Sequence, residues 1–271
     1  MRKAAGVLKH SANPLRDAEL LLMHALGISR TAVIATPDKE LTADELSRFE
    51  TVVGARATGQ PVQHILGVQE FYGLEFEVSP AVLIPRPETE HLVEAVLNRV
   101  EHGQLLQIAD VGTGSGAIAI ALATQLPQAR VWASDMSPEA LAVAARNAER
   151  HGVSRRIEFA RADLLAGCLA GAIDVVASNP PYIAEDERGT LAIEVREFEP
   201  AAALFAGATG YEVYERLLPQ AQNSLKPGGL LALEMGFGQS KRMREMLREW
   251  SSVEVLPDLA GVPRVALARK G

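Results

Sequence analysis

The chain is poor in cysteine, in aromatic residues and in long uncharged stretches, and it lacks an excess of positive charge. Among its 271 residues Cys168 is the only cysteine, which excludes an intramolecular disulfide and favours a reducing compartment. Lys and Arg total 27 against 34 Asp and Glu, and a net charge of −7 argues against a protein that binds long nucleic acid by neutralising phosphates. Hydrophobic residues at 48% and charged residues at 23% are typical of a globular fold, which excludes disorder.

Membrane and export signals are equally scarce. The longest stretch without charge, residues 111–129, carries three glycines and Pro127, so it predicts a loop followed by a buried helix rather than a membrane span. The N-terminal residues include no apolar segment of the kind found in signal peptides. We therefore expect a cytoplasmic protein without membrane association.

Residues 1–60 predict a small helical domain. Asn13 and Pro14 are a helix cap and first-turn pair, and Thr42 with Glu45 has the spacing of a capping box. Residues 61–90 change to short extended runs broken by glycine, and they predict a hairpin-like connector.

Residues 91–271 alternate between apolar strand patterns and helices. Five such strands are LQIADV, RVWASD, RIEFA, DVVAS and LLALEM, and the tail VEVLPDLAGVPRVALARK predicts two more in a hairpin. Alternating strands and helices form βαβ units, so the sequence predicts an α/β fold with a mostly parallel sheet.

A glycine-rich turn follows the first of these strands. Asp110-Val-Gly-Thr-Gly-Ser-Gly116 would let the backbone approach a ligand closely, and Asp135 ends the next strand 19 positions after Gly116. This offset is typical of an acidic side chain that meets a ribose hydroxyl, so the pattern predicts a site for an adenosine-containing cofactor. Asp163, after the third strand, is either an acceptor for the adenine amino group or a helix cap.

The segment Asn179-Pro180-Pro181-Tyr182 directly follows the fourth strand, at the edge where open α/β sheets bind ligands. Two prolines remove two backbone donors and leave carbonyl acceptors in a rigid row. The Asn179 oxygen and the Pro180 carbonyl can accept the two protons of an NH₂ group, while Tyr182 offers a flat face to a planar amide or base. The segment therefore predicts a receptor for an NH₂ group.

With these motifs the sequence resembles the Rossmann-like methyltransferases that use S-adenosylmethionine. The helical N-terminus, QHILG, IPRPETE, DVGTGSGAIAI, SNPPYI and the closing RVALARK together resemble the HemK or PrmC family of glutamine methyltransferases over nearly the whole chain. The resemblance implies a class I methyltransferase fold, in which a small helical domain (1–60) and a β-hairpin connector (61–90) precede a mostly parallel seven-stranded sheet (91–271).

The family resemblance also implies an activity and a set of site residues. The activity is methylation of N5 of the glutamine in the Gly-Gly-Gln loop of class-1 peptide chain release factors, with the helical domain recognising that protein substrate. Nucleic acid, a membrane and a metal ion are not expected as partners. The implied cofactor-binding residues are Gly112, Thr113, Gly114, Ser115, Gly116, Asp135, Asp163, Leu164 and Asn179, the substrate-binding residues are Asn179, Pro180, Pro181 and Tyr182, and the catalytic residues are Asn179, Pro180 and Tyr182. Some members have an aromatic residue where this chain has Leu164.

Several alternatives remain open at this point. Arg86, Glu88 and Glu90 of IPRPETE are either catalytic or a charge pattern at a helix start that lines the cleft. An adenine-N6 methyltransferase of nucleic acids would use the same NH₂ receptor, although it would need base flipping on duplex DNA. A catalytically silent cofactor-binding module that binds a partner through its helices is the other alternative.

Overall fold

The computed structural model describes all residues, 1–271. Its α-helices are α1 (Arg2–Ala5), α2 (Pro14–Leu26), α3 (Arg30–Ala35), α4 (Ala43–Ala57), α5 (Val62–Leu66), α6 (Glu90–Leu97), α7 (Ala117–Gln125), α8 (Pro138–Arg150), α9 (Ile193–Phe198), α10 (Ala201–Leu204), α11 (Glu212–Ser224) and α12 (Ser240–Met246). Its strands are β1 (Val68–Phe71), β2 (Leu74–Glu77), β3 (Gln107–Val111), β4 (Arg130–Asp135), β5 (Ile157–Arg161), β6 (Ile173–Ser178), β7 (Ile183–Ala184), β8 (Phe205–Gly207), β9 (Leu225–Glu234), β10 (Ser251–Pro257) and β11 (Pro263–Arg269). Short 3₁₀ helices lie at Pro87–Thr89, Ser154–Arg156 and Glu185–Thr190.

The chain divides into two compact units. The first comprises Met1–Val68 together with Leu191–Glu199, and the second comprises Gln69–Thr190 and Pro200–Gly271. The first unit thus includes residues that the sequence assigned to the connector and to the methyltransferase domain. Helix α5 lies where an extended run was expected, because Pro61 precedes it and Gly67 ends it in the left-handed conformation, φ 75°.

The first unit is a cluster of short capped helices. The Asn13 side chain accepts from the backbone N–H of Arg16 at the start of α2, and Thr42 and Glu45 form the expected capping box on α4. The helices pack around a small core that is formed by Leu8, Ala18, Leu21, Ala25, Phe49, Val53 and Val62.

A buried guanidinium ties α9 to this unit. Arg56 is only 2% exposed, and its Nε lies 2.7 Å from Asp17 Oδ2 while its Nη2 lies 2.5 Å from Glu194 Oε1. A Cβ on Gly59 would lie 3.0 Å from the side chain of Ile193, the neighbour of Glu194, so this helix packs close against a glycine of the first unit. These contacts explain why Leu191–Glu199 belongs to the first unit, and no local pattern in the sequence signals them.

Replacing Arg56 should therefore destabilise the protein strongly. The variant Arg56→Met leaves Asp17 and Glu194 without their shared cation, and removing one partner of a buried ion pair costs about 3–5 kcal/mol. Urea titration would measure the free energy of unfolding. The control Arg48→Met lies on the exposed face of α4, and equal stability of the two variants would contradict this account.

The second unit is built on a seven-stranded sheet in the order β10-β11-β9-β6-β3-β4-β5. Strands β9, β6, β3, β4 and β5 are paired in parallel, whereas β11 is antiparallel to both β9 and β10. This arrangement confirms the mostly parallel seven-stranded sheet and the terminal hairpin. The preceding hairpin of β1 and β2 turns at Tyr72 and Gly73, both with positive φ, as a type I′ turn requires.

Helices cover both faces of this sheet. Alternate residues of the central strands enter two separate cores, so that Ile108 of β3 faces one core and Ala109 the other. Helix α7 is buried on all sides from Ala117 to Ala123, as the uncharged stretch predicted. None of the α-helices combines the length and the apolar composition that a membrane-spanning helix requires.

Two strands differ from the sequence-based expectation. Strand β9 begins at Leu225, ahead of the expected run LLALEM, so the KPGG segment lies inside the strand, where a register irregularity opposite β6 accommodates Gly228 at φ 74°. The short parallel pair β7 and β8 was not expected, because strands of two and three residues carry no periodic pattern.

Candidate active site

The glycine loop lies at the point where the strand order of the sheet reverses. After β3 the chain continues to β4 and β5 on one side, and it then returns to β6 on the other. Gly112, Gly114 and Gly116 have φ values of 72°, 55° and 83°, a region that residues with a Cβ rarely adopt. No heavy atom lies within 4 Å of where a Cβ would stand on Gly112 or Gly114, so the loop leaves open space above its backbone.

Asp135 holds this loop in place. Its Oδ2 accepts from the Gly114 N–H at 2.9 Å, and its Oδ1 accepts from the Ser137 N–H at 2.9 Å. The Ser134 carbonyl accepts from the loop as well, at Gly112 and Thr113. A carboxylate oxygen has two lone pairs, so each oxygen of Asp135 retains capacity for a ligand hydroxyl.

The side chains of Thr113 and Ser115 point into the protein. Thr113 Oγ1 donates to Asp110 Oδ2 at 2.6 Å, and Ser115 is buried while its carbonyl accepts from Asn147. These two residues therefore present backbone rather than side-chain groups to the open space.

Asp110 is a feature of the loop to which the sequence analysis gave no role. The carboxyl is fully buried, its Oδ2 accepts from Thr113 and from the Ala119 N–H, and its Oδ1 has no hydrogen-bond partner. Burial, together with the nearby charge of Asp135, raises the pKa of Asp110 to about 7, although the hydrogen bonds from Thr113 and Ala119 act in the opposite direction. The orphaned Oδ1 is an acceptor available to a cationic or N–H group at the loop.

Asp163 and Leu164 follow β5. Asp163 forms an ion pair with Arg216, through its Oδ2. Leu164 adopts φ 56°, which is unusual for a side chain of this size, and its carbonyl is fixed by the Ser134 hydroxyl at 2.8 Å. The strained backbone at Leu164 places this segment beside β4, at the same sheet edge as Asp135.

The Asn-Pro-Pro-Tyr segment leaves the sheet next to the glycine loop. Asn179 Nδ2 donates to Thr89 Oγ1 at 3.1 Å, which leaves the side-chain oxygen of Asn179 free to act as an acceptor. Pro180 is buried, and the Tyr182 hydroxyl contacts Glu234 Oε1 at 3.4 Å. The structure thus brings the expected residues of this segment together with two residues that the sequence analysis did not identify, Thr89 and Glu234.

Two glycines and a glutamine fix the position of Tyr182. A Cβ on Gly210 would lie 2.6 Å from the Tyr182 carbonyl oxygen, and one on Gly236 would lie 3.0 Å from its ring. Gln239 Nε2 donates to the same carbonyl at 3.0 Å. Burial raises the pKa of the Tyr182 hydroxyl, and the charge of Glu234 adds to this effect, so the phenol keeps its proton at neutral pH.

Glu234 is a buried carboxyl at the end of β9. It is 1% exposed, and its Oε2 has no hydrogen-bond partner. Burial raises the pKa of Glu234 to about 7, while a side-chain hydrogen bond with Thr89 and the charge of Arg264 act in the opposite direction. The sequence did carry a signal for this residue, because a single acidic residue ends the apolar run LLALE.

The three charged residues of IPRPETE lie in different surroundings. Glu90 Oε1 accepts from the backbone N–H of Tyr72 at 2.8 Å and so fixes the turn of the β1–β2 hairpin. Arg86 and Glu88 lie close enough to act on the site, since the charge of Arg86 opposes the rise in the pKa of Tyr182 and the charge of Glu88 adds to the rise in the pKa of Glu234. This separation argues against a catalytic trio.

The fold and this site define the class of the protein. Residues 88–206 match the family model described as the methyltransferase small domain, and residues 1–67 match the PrmC N-terminal domain. The solved structure of a methyltransferase from Pyrococcus furiosus is similar in fold, with a TM-score of 0.53 at 23% identity, over 74% of this chain and 91% of that one. The protein is a Rossmann-like methyltransferase.

Full-length relatives define the family within that class. The release factor glutamine methyltransferase of Koribacter versatilis is 45% identical over 97% of this chain and 95% of its own length. The protein of the same description from Nitratidesulfovibrio vulgaris is 41% identical over 98% of this chain and 94% of its own. The chain belongs to the release factor glutamine methyltransferase family, which confirms the resemblance seen in the sequence.

The buried Glu234 predicts a specific pH dependence of stability. A carboxyl whose pKa is raised by folding binds its proton more tightly in the native state, so its stabilising effect is complete below pH 4.5 and is lost as the pH rises through about 7. Because glutamine does not titrate, Glu234→Gln should not show this decrease in stability with rising pH. Between pH 4.5 and 8 we expect the stability of Glu234→Gln to rise relative to the wild type by on the order of 3 kcal/mol.

Urea titrations at both pH values would measure this difference. Glu158→Gln, on the exposed part of β5, is the matched control for an altered glutamate. A difference between Glu234→Gln and the wild type that does not change with pH would contradict the pKa assigned to Glu234.

Proposed function

We propose that this protein transfers the methyl group of S-adenosylmethionine to the side-chain amide nitrogen, N5, of the glutamine in the Gly-Gly-Gln loop of class-1 peptide chain release factors. The observation that carries the proposal is the Asn179 side chain, whose Nδ2 is engaged by Thr89 so that its oxygen is an acceptor beside the glycine loop. The names of the full-length relatives support the same substrate.

The residues around the glycine loop fit the proposed cofactor. Gly112 and Gly114 leave room for a ligand against the backbone, Asp135 has spare acceptor capacity for ribose hydroxyls, and the unpartnered Oδ1 of Asp110 suits an ammonium group. Asp163 and Leu164 would border the adenine. S-adenosylmethionine supplies a methyl group on a positively charged sulfur, which makes that carbon electrophilic.

The proposed catalytic residues act by placing a poor nucleophile. The lone pair of an amide nitrogen is delocalised into its carbonyl, by the resonance that makes peptide bonds planar. Asn179 Oδ1 and the Pro180 carbonyl would each accept one N–H of the substrate glutamine, with Pro181 keeping the segment rigid. Correct placement of reacting groups contributes up to roughly 7–11 kcal/mol, so this route needs no strong base.

The same acceptors favour the transition state over the ground state. As the new bond forms, the amide nitrogen gains positive character, and two oxygen acceptors and the face of the Tyr182 ring stabilise that charge. The new N–C bond would form as the S–C bond breaks, with S-adenosylhomocysteine as the leaving group, and the extra proton on the nitrogen would then pass to solvent water. The Tyr182 phenol, whose raised pKa keeps it neutral, contributes its ring without adding a negative charge.

Asp135→Ala should weaken cofactor binding. The variant removes a charged acceptor for the ribose and also the acceptor of the Gly114 N–H, and a hydrogen bond to a charged group is worth about 1.5–3 kcal/mol, or roughly 10- to 150-fold. Isothermal calorimetry with S-adenosylmethionine would measure the change. Asp38→Ala, an exposed residue of the first unit, is the control, and an unchanged affinity in folded Asp135→Ala would remove Asp135 from the site.

Asn179→Ala should abolish most methyl transfer while the cofactor still binds. The substrate amide loses one of its two acceptors, and loss of one such transition-state contact costs roughly 100- to 1,000-fold in kcat. Single-turnover rates on a release factor at saturating cofactor would measure the loss. Asn223→Ala, an exposed asparagine of α11, is the matched control.

The choice of acceptor distinguishes this proposal from its alternatives. Labelled S-adenosylmethionine would be offered with a release factor, with DNA and with RNA in separate reactions. We expect label on the release factor glutamine alone. Label on adenine alone would point to a nucleic-acid methyltransferase, and no label on any acceptor would point to a silent binding module.

We also propose that residues 1–60 form the domain that recognises the protein substrate, followed by the connector (61–90) and the methyltransferase domain (91–271). A folded release factor offers a far larger contact area than a pocket for one glutamine. We therefore expect the KM for the whole factor to lie well below that for a short Gly-Gly-Gln peptide. Equal KM values for the two would contradict a separate recognition domain.

A further inference from the structure

Thr89 and Glu234 connect the two ends of the Asn-Pro-Pro-Tyr segment through a buried polar network. Thr89 is 4% exposed and Glu234 is 1% exposed. Thr89 accepts from Asn179 Nδ2 at 3.1 Å and also shares a side-chain hydrogen bond with Glu234. The Tyr182 hydroxyl reaches the same carboxyl at 3.4 Å.

We propose that Thr89 and Glu234 are positioning residues, which fix the orientation of the Asn179 amide so that its oxygen faces the substrate nitrogen. The inference rests on the proposed function, because the substrate amide is what the Asn179 oxygen receives. Neither residue touches the reacting atoms. Both act through Asn179.

The direction of the hydrogen bonds follows from the number of protons available. A threonine hydroxyl has one proton, and a hydroxyl that donates to a carboxyl oxygen can meet a neighbouring amide only as an acceptor. Glu234 therefore fixes Thr89 as an acceptor toward Asn179. Asn179 must then turn its NH₂ group toward Thr89 and its oxygen toward the substrate.

Without the Glu234 carboxyl this preference is lost. The Thr89 hydroxyl could then donate to Asn179 Oδ1, and the amide of Asn179 would rotate by half a turn. Its NH₂ group would face the NH₂ group of the substrate, so that two donors would meet and no hydrogen bond would form. The Glu234 carboxyl thus determines whether Asn179 presents an acceptor oxygen or a donor NH₂ group to the substrate nitrogen.

Burying the Glu234 carboxyl lowers the stability of the fold, which indicates that this residue serves the function of the site. A buried carboxyl is destabilising unless all its hydrogen bonds are made, and the Oε2 of Glu234 has no partner. The backbone around it is nevertheless well fixed, because the Tyr214 hydroxyl donates to the Glu234 carbonyl at 2.8 Å and Gln239 accepts from the Gly236 N–H at 2.9 Å. The fold holds this acid in place beside Thr89 and Tyr182.

Thr89→Val tests the proposal because it removes the hydroxyl and keeps the shape. A misplaced catalytic group lowers a rate by about 100-fold for a displacement near 1 Å, so we expect kcat on the release factor to fall about 10- to 100-fold. The KM for the release factor and the calorimetric affinity for S-adenosylmethionine should stay within about threefold of the wild type. Thr89→Ser restores the hydroxyl and should recover most of kcat.

Two further variants make the comparison specific. Thr124→Val is the matched control, since the Thr124 hydroxyl donates to the Ile120 carbonyl within α7 at 2.8 Å and forms no hydrogen bond with Asn179 or Glu234. Glu234→Gln places an NH₂ donor where the carboxylate had only acceptor oxygens, so Thr89 is no longer held as an acceptor toward Asn179. This variant should therefore lower kcat, as Thr89→Val does. Wild-type kcat in Thr89→Val, or an equal loss in Thr89→Ser and Thr89→Val, would overturn the proposal.

A second measurement needs no substrate and separates this inference from the proposed function. Hydrogen exchange of the Asn179 side-chain NH₂, assigned by comparison with Asn179→Ala in a ¹⁵N NMR spectrum, should be slow in the wild type and at least about tenfold faster in Thr89→Val. Unchanged exchange would overturn the inference even if the release factor is methylated. Slow exchange in a wild type that methylates no release factor would contradict the proposed function alone.

Discussion

The backbone hydrogen bonds between β3 and β6 bring Val111 level with Ser178, so that the next residues of both strands leave the sheet side by side. The Ser178 hydroxyl reinforces this pairing by donating to the Val111 carbonyl at 2.6 Å. The glycine loop after one strand and the Asn-Pro-Pro-Tyr segment after the other consequently share one edge. An electrophilic methyl group bound at the first and an amide nitrogen bound at the second would meet at that edge without either loop moving far.

Two buried carboxyls lie near this edge, Asp110 under the glycine loop and Glu234 beside Asn-Pro-Pro-Tyr. Burial raises the pKa of each to about 7, and each keeps one oxygen without a partner, which is an unfavourable arrangement for stability alone. Asp110 fixes the loop through Thr113, and Glu234 fixes Asn179 through Thr89. At each place a buried carboxyl that does not face the ligand fixes the orientation of the group that does, the glycine loop in one case and the Asn179 amide in the other.

The sequence predicted the elements whose signals are local. Apolar runs predicted the strands of the main sheet, and the glycines at 112, 114 and 116 predicted a turn that the structure shows with positive φ at all three. The position of Asn-Pro-Pro-Tyr after the fourth strand predicted its place at the ligand-binding edge. These features depend on a few neighbouring residues, so they can be seen without knowledge of the fold.

Features that depend on distant residues were missed. Thr89 is 90 positions from Asn179, and nothing in the PETE tetrapeptide distinguishes it from a residue at a helix start. Helix α9 joins the first unit through the contact of Glu194 with Arg56, 138 positions away. Such contacts are fixed by the three-dimensional packing of segments whose own sequences are compatible with several environments.

The most direct test of the amide receptor is a crystal structure of the protein with S-adenosylhomocysteine and a glutamine-bearing segment of a release factor. The account predicts that the glutamine side-chain nitrogen lies within about 3.2 Å of both Asn179 Oδ1 and the Pro180 carbonyl oxygen, with the Tyr182 ring against the amide plane. A glutamine nitrogen that contacts neither acceptor, or an Asn179 whose NH₂ group faces the substrate, would contradict it.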